Sequence, residues 1–271
     1  MNALRGWLRH ARTRRGRLLG VLAAAPAVWL AITVVAPALG ASAAPHRPRS
    51  STARHEHRGG PGKRHETGGV AASAGSDPAG QEVVGRRTAT SRTWKTGDGR
   101  FHTRVYASPV NYRDSRGGWR AIDDTLVADP SAGYAFQNRA DSYRVQVPNQ
   151  IADRPITVHA GRDSVGFRLL GANGNPRASD STATFKDVLP GVSAAYTAGP
   201  SLVKESLTLA DASAPASYTY ALDLGKGLSA NENDRGGIDV AGSDGSVRFS
   251  FEAPFATDHA GTRIESGHGI S

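Results

Sequence analysis

From about Arg86 onward the chain runs in short stretches of alternating apolar and polar residues, each cut off by Gly, Asp, Asn or Pro. Along a strand, successive side chains point to opposite faces, so a period of two marks an element with one face in a core. "RFHTRVYA" puts Phe101, Thr103 and Val105 on one face, and "SYRVQV" does the same with Tyr143, Val145 and Val147. "VGFRLL" offers Val165, Phe167 and Leu169, "SYTYALDL" offers Tyr218, Tyr220, Leu222 and Leu224, and "SVRFSF" offers Val247, Phe249 and Phe251. The separators "TGDGR", "DSRGG", "GANGN", "LPG" and "GSDG" supply residues that tolerate positive φ, which is turn chemistry. No run of helical length shows a 3.6-residue period, and no internal repeat of fixed length is present. The pattern predicts an all-β fold, an antiparallel β-sandwich built as one large or two small units over residues 86–258.

The segment before it has different chemistry. "MNALRGWLRHARTRRGRLLG" carries six arginines and no acid, and an uncharged run follows it, then the small residues "ASAA". A basic region, an apolar region and small side chains at a cleavage site predict a signal peptide over residues 1–44. Signal peptidase needs two small residues, and either Ala41 with Ala43 or Ser42 with Ala44 supplies them, so cleavage is expected at Ala43 or Ala44. The uncharged stretch from Leu18 to Gly40 is also long enough to span a membrane, but Pro26 and Pro37 interrupt it. The pair Arg14–Arg15 resembles a twin-arginine signal, with Arg17 standing where that signal prefers an aromatic; general secretion is the expected route. Residues 45–85 contain almost no large apolar side chain and read as a disordered basic linker. The histidines there, "HEH" at His55–His57 included, have no folded surroundings to orient them as metal ligands.

Charge follows the same boundary. Residues 1–67 hold twelve Lys and Arg against Glu56 and Glu66, while the rest holds 21 basic and 22 acidic residues. The folded part is thus expected to be near neutral, which argues against a nucleic-acid partner and leaves membrane contact to the signal segment alone. The chain has no cysteine, so disulfides, thiolate metal sites and thiol catalysis are excluded.

The stretch "RTATSRTWKTGDGRFHTRVYASPVNYRDSRGGWRAIDDTL" resembles the start of the N-terminal β-rich module of bacterial wall-associated RHS-repeat proteins, whose actinobacterial forms carry DNRLRE-type β-domains. "YAFQNRADSYRVQVP", "STATFKDVLPGVSAAYTAG", "LVKESLTL" and "APFATD" continue the resemblance in order, so that it covers roughly Arg86 to Asp258. What it implies is a secreted or cell-surface chain, possessing a module that precedes RHS/YD repeats and in some members a C-terminal toxin. No catalytic residue carries over. After Asp258 only "HAGTRIESGHGIS" follows, read as a flexible tail over 259–271, and the chain is expected to be a truncated or frameshifted member.

Chemical candidates are few. Asp123 and Asp124 are adjacent on an expected strand and therefore face apart, whereas a glycoside hydrolase needs two carboxyls across one cleft. Lys204 and Glu205 are neighbours of the same kind, and a cross-strand ion pair is the expected use of their charges. "NENDRGGID" partly resembles a calcium loop at Asn231, Asn233 and Gly236, but Gly242 stands where the closing acid belongs. His102, His159, His259 and His268 have no acid at motif spacing. Tyr106, Tyr112 and Trp119 are candidate ligand contacts, able to stack on the sugars of a cell wall or surface glycan. The expected function is a non-enzymatic structural or adhesive module without cofactor or metal. A carbohydrate-binding module is the alternative, and a hydrolase using Asp123, Asp124 or Glu205 stands behind it.

Overall fold

Val165, Phe167 and Leu169 share one face of a single strand and are 0, 1 and 1% exposed, so the period of two resolves into a buried face. The computed structural model that shows this describes residues 2–7, 27–34, 78–211, 214–258, 260–265 and 267–270. Its strands, numbered in chain order, begin with β1 (Asn2–Trp7), β2 (Ala27–Val34), β3 (Gln81–Glu82), β4 (Ser91–Lys95) and β5 (Phe101–Val105). Next come β6 (Asn111–Arg113), β7 (Trp119–Ala121), β8 (Asp123–Ala128), β9 (Tyr134–Ala140), β10 (Arg144–Pro148), β11 (Ile156–Ala160) and β12 (Asp163–Leu169). They continue with β13 (Arg177–Ser179), β14 (Thr182–Leu189), β15 (Val192–Gly199), β16 (Leu202–Leu209), β17 (Ser217–Leu224) and β18 (Leu228–Glu232). The last are β19 (Ile238–Gly242), β20 (Val247–Phe251), β21 (Phe255–Thr257), β22 (Arg263–Glu265) and β23 (Gly267–Ile270). No α-helix occurs among the described residues, and no helix there is long and apolar enough to cross a membrane.

Two large sheets make the body, every pairing within them antiparallel. One has the order β23-β1-β17-β12-β11-β10-β9-β8, and the other β13-β14-β15-β16-β2-β20-β19-β18, with β21 paired to β2 and β22 to β21. Their inner faces meet through aromatic rings. Phe167 of the first sheet lies 6.0 Å from both Tyr196 and Phe251 of the second, and Phe185 meets Tyr196 edge-on at 5.7 Å. Around these rings, Ile156, Val158 and Leu222 from one sheet and Val203, Leu207, Val240 and Phe249 from the other are at most 3% exposed. Each such side chain taken out of water favours folding by roughly 1.5–3 kcal/mol, and together they hold the two layers face to face. This is one continuous sandwich core, the first of the two arrangements that the sequence pattern left open.

Two smaller sheets, β3-β4-β5 and the β6–β7 hairpin, come between β2 and β8 in the chain. Asn111, 2% exposed, ties them together: its amide donates to the carbonyls of Thr88 and Ser91, and its Oδ1 accepts from Arg92 Nε at 3.1 Å. Here the face expected from "RFHTRVYA" is not buried, since Phe101 is 46% and Val105 74% exposed. A small three-stranded sheet has no second layer to cover both of its faces.

Strands also occur outside residues 86–258. Asn2–Trp7 and Ala27–Val34 of the expected leader are strands in the two large sheets. Gln81–Glu82, inside the expected linker, pairs with Trp94 and Lys95. The expected tail contributes β22 and β23. Residues 45–77, and with them most of the expected linker, lie outside the described residues, as do Ala43 and Ala44.

Candidate functional site

The β6–β7 turn collects charge for its own construction. Asp114 Oδ1 accepts from the backbone N–H of Gly118 at 2.8 Å and of Arg116 at 3.0 Å, and its Oδ2 accepts from Arg120 Nε at 2.9 Å. Gly117 takes φ +78°, a left-handed conformation that a side chain would strain. The Arg113 guanidinium covers the Trp119 ring at 4.4 Å. In register, Tyr112 lies opposite Arg120 and Trp119 opposite Arg113. Directly opposed residues share a face, so Tyr112 and Trp119 stand on opposite faces of the hairpin. Tyr106 lies outside it, just past β5, half-buried, and the three aromatics form no common stacking strip.

At the end of this stretch, β8 carries a bulge between Asp123 and Leu126. Even so, Asp123 and Asp124 diverge. Asp123 accepts from Arg139 Nη1 at 2.7 Å and from Thr125 N–H at 3.1 Å, and the Thr125 and Arg139 donors hold its carboxyl below the usual range. Asp124 turns instead to Asp141, which follows β9. Burial pushes Asp124 up to about 7, with the Asp141 charge adding to it, and burial raises Asp141 as well. One oxygen of each, Asp124 Oδ1 and Asp141 Oδ2, is buried without a hydrogen-bond partner. Two carboxyls in contact cannot both ionise cheaply, so the pair retains a proton near neutrality.

That pair sits where the two large sheets are joined. Asp141 also takes a hydrogen bond from the backbone of Ser201, in the β15–β16 turn, where Ser201 has φ +64°. Two residues on, the Tyr143 hydroxyl contacts the carbonyls of Gly199 and Leu202, each at 2.8 Å. On the neighbouring side, Leu126 N–H donates to the carbonyl of Asp180 at 2.7 Å. The acid pair and Tyr143 therefore clamp the β15–β16 turn of one sheet onto the β9–β10 turn of the other.

A second acid lies in the core itself. Glu205 on β16 is 1% exposed, opposite Tyr196 in register, and accepts from the Tyr196 hydroxyl at 2.7 Å. The Tyr220 hydroxyl from the other sheet also bears on the carboxyl, while Oε2 has no hydrogen-bond partner. Burial pushes Glu205 up to about 7, only partly offset by the two tyrosines, and burial next to Glu205 holds both phenols well above their usual value. The cross-strand ion pair expected for Glu205 is thus corrected: Glu205 shares the inward parity of Val203, Leu207 and Leu209, and the core takes it.

His159 reaches an acid only through Gln146. Its Nε2 lies 2.9 Å from Gln146 Oε1, and Gln146 Nε2 donates to Asp129 Oδ2 at 2.7 Å. Because the Gln146 oxygen can only accept, His159 Nε2 carries the proton and donates. Desolvation first, then Arg144 opposite it, pushes the imidazole below its ordinary value. Asn233, in the calcium-like stretch, spends its oxygen on the N–H groups of Arg235 and Gly237 and its amide on Asp239 at 2.9 Å. It closes a hairpin. Two cavities, about 360 Å³ beside Asn233 and Phe251 and about 380 Å³ beside Arg168 and Leu170, touch none of these acids.

Fold and acids together define a class: an all-β sandwich whose buried carboxyls act on its own sheets rather than across an open cleft. No family model matches the chain, and no solved structure does. It is similar to tRNA nuclease WapA of Bacillus subtilis, 25% identical over 193 residues, and to tRNA(Glu)-specific nuclease WapA of Bacillus subtilis subsp. natto, 24% identical over 193 residues. The match takes in 65% of this chain but only 8% of either relative. These relatives are named as enzymes, and that overturns the expectation of a protein without enzymatic character.

Proposed function

We propose that this chain is the β-sandwich module of a secreted, surface-located protein of toxin type, linked to RHS repeats, with residues 1–44 acting as its export leader. What supports the reading is the similarity to tRNA nucleases, which takes in 65% of a chain that has a continuous sandwich core. The module's role is structural and adhesive, holding a larger protein at the cell surface or wall, and the substrate class of that larger protein is tRNA. Lys and Arg would have to supply phosphate contacts to tRNA. Over residues 68–271 they number 21 against 22 acids, so the sandwich contributes architecture more than electrostatic attraction.

The reading is tested by placing an epitope in the solvent-facing turn at Arg116 of the chain in its producing cell. Protease added to intact cells should remove the epitope, and part of it should be found in the medium or wall fraction. An epitope confined to the cytosol and protected from added protease overturns the proposal.

A further inference from the structure

Strand β2 is the single link between the two halves of the second large sheet among the described residues. On one side Ala27–Thr33 pairs with Leu202–Thr208 of β16 in seven consecutive antiparallel positions. On the other, Ile32–Val34 pairs with Phe249–Phe251 of β20, and Ala27–Trp29 pairs with Phe255–Thr257 of β21. Strands β16 and β20 do not pair with one another. The flanking residues Val203, Glu205 and Leu207 on one edge, and Phe249, Phe251 and Ala256 on the other, all belong to the buried interior. The eight residues of β2 also lie within the apolar run of the proposed leader, and one segment cannot serve both the export machinery and this sheet.

We infer that the exported module is a strand acceptor, whose seat between β16 and β20 takes up an extended, uncharged strand of seven or eight residues from a partner polypeptide. Removal of residues 1–44 takes β1 from between β17 and β23 in the first sheet and, in the second, leaves two facing edges separated by one strand's width on each side, about 10 Å in all. That is too wide for direct pairing. Because β2 is antiparallel to both neighbours, β16 and β20 run parallel to each other, and closing the gap would require half the sheet to slide. A filled seat instead satisfies two rows of backbone N–H and C=O groups at once, the mode of recognition by strand addition.

The seat's chemistry selects its occupant. Positions opposite Val203, Glu205 and Leu207 border the dry core, where a charge would be costly, and Ile32, Leu30 and Val28 stand at those register positions in the full chain. A proline within the strand would break one of the two ladders. A second copy of the exported chain is not the occupant, since it has lost the same segment.

The inference rests on the leader reading, and the experiment separates the two. The full chain, carrying a specific protease site after Ala44, is cleaved, freed of residues 1–44 in urea and refolded with a peptide of residues 2–7 present in every arm, then mixed with a labelled peptide of residues 27–34 on a charged solubility tail, or with the same peptide carrying Leu30→Pro. The expected result is one labelled peptide bound per chain and at least 100-fold slower amide exchange over 202–208 and 249–251 than in the cleaved chain without it. The proline peptide should do neither. If cleavage unfolds the chain, the unmodified peptide should restore strand content and protection, and no restoration overturns the inference. It is also overturned by protection of 202–208 without the labelled peptide, whether in a monomer or in a dimer formed between copies. Whether the leader is removed in the cell is read separately, from the N-terminus of the exported protein.

Discussion

Replacing Glu205 by Gln should make the fold more stable at neutral pH and change little in acid. In the folded protein the carboxyl is buried between Tyr196 and Tyr220 and titrates at about 7, against 4.5 for the unperturbed group. Below pH 4.5 it is protonated in both folded and unfolded chains and has no effect on the balance. Between 4.5 and 7 the unfolded chain releases the proton and the folded chain keeps it, so stability falls as pH rises. Above 7 both forms are ionised and the loss levels off. A difference of about 2.5 pH units corresponds to about 3 kcal/mol. Glutamine cannot ionise, and its Oε1 can still accept from Tyr196. Urea unfolding of both chains at pH 4.5, 6 and 8 measures the effect. The Glu205→Gln chain should gain about 3 kcal/mol on wild type between pH 4.5 and 8. Curves that stay parallel across that range would refute the assignment of a neutral, buried carboxyl.

Other expectations concern the junction of the sheets. Asp124→Asn removes one of two contacting carboxyls that resist joint ionisation, and the partly solvated site should gain about 1–2 kcal/mol above pH 7, read in the same urea series. Tyr143→Phe leaves the carbonyls of Gly199 and Leu202 without their donor and should cost about 1–3 kcal/mol, with faster amide exchange centred on residues 199–202. Asn111→Ala cuts the knot between β4 and the β6–β7 hairpin. It should raise proteolytic nicking between residues 88 and 121 and leave exchange in the sandwich core unchanged.

What could be read from the sequence was the part governed by local parity. Val165, Phe167 and Leu169, or Tyr218, Tyr220 and Leu222, have a fixed relation along one strand, and burial of that face follows. The same reasoning misplaced Phe101 and Val105, because alternation says which residues share a face and not whether a second layer exists to cover it. Glu205 was within reach: in "LVKESLTL" it shares the parity of Val203, Leu207 and Leu209. Assigning it to a cross-strand ion pair gave charge precedence over position. Asp141 was out of reach. Its contact with Asp124 depends on a bulge in β8, and its contact with Ser201 on a turn far along the chain, neither of which any spacing encodes. The same holds for β2, whose residues have the composition of a leader and the pairing of a strand.

The central claim, an exported module that sheds its leader, is tested most directly by the N-terminal sequence of the protein recovered outside the cell. The account predicts a chain that begins close to Pro45 and retains the sandwich strands from β8 to β21. A chain that remains with the cell and still begins at Met1 would contradict it.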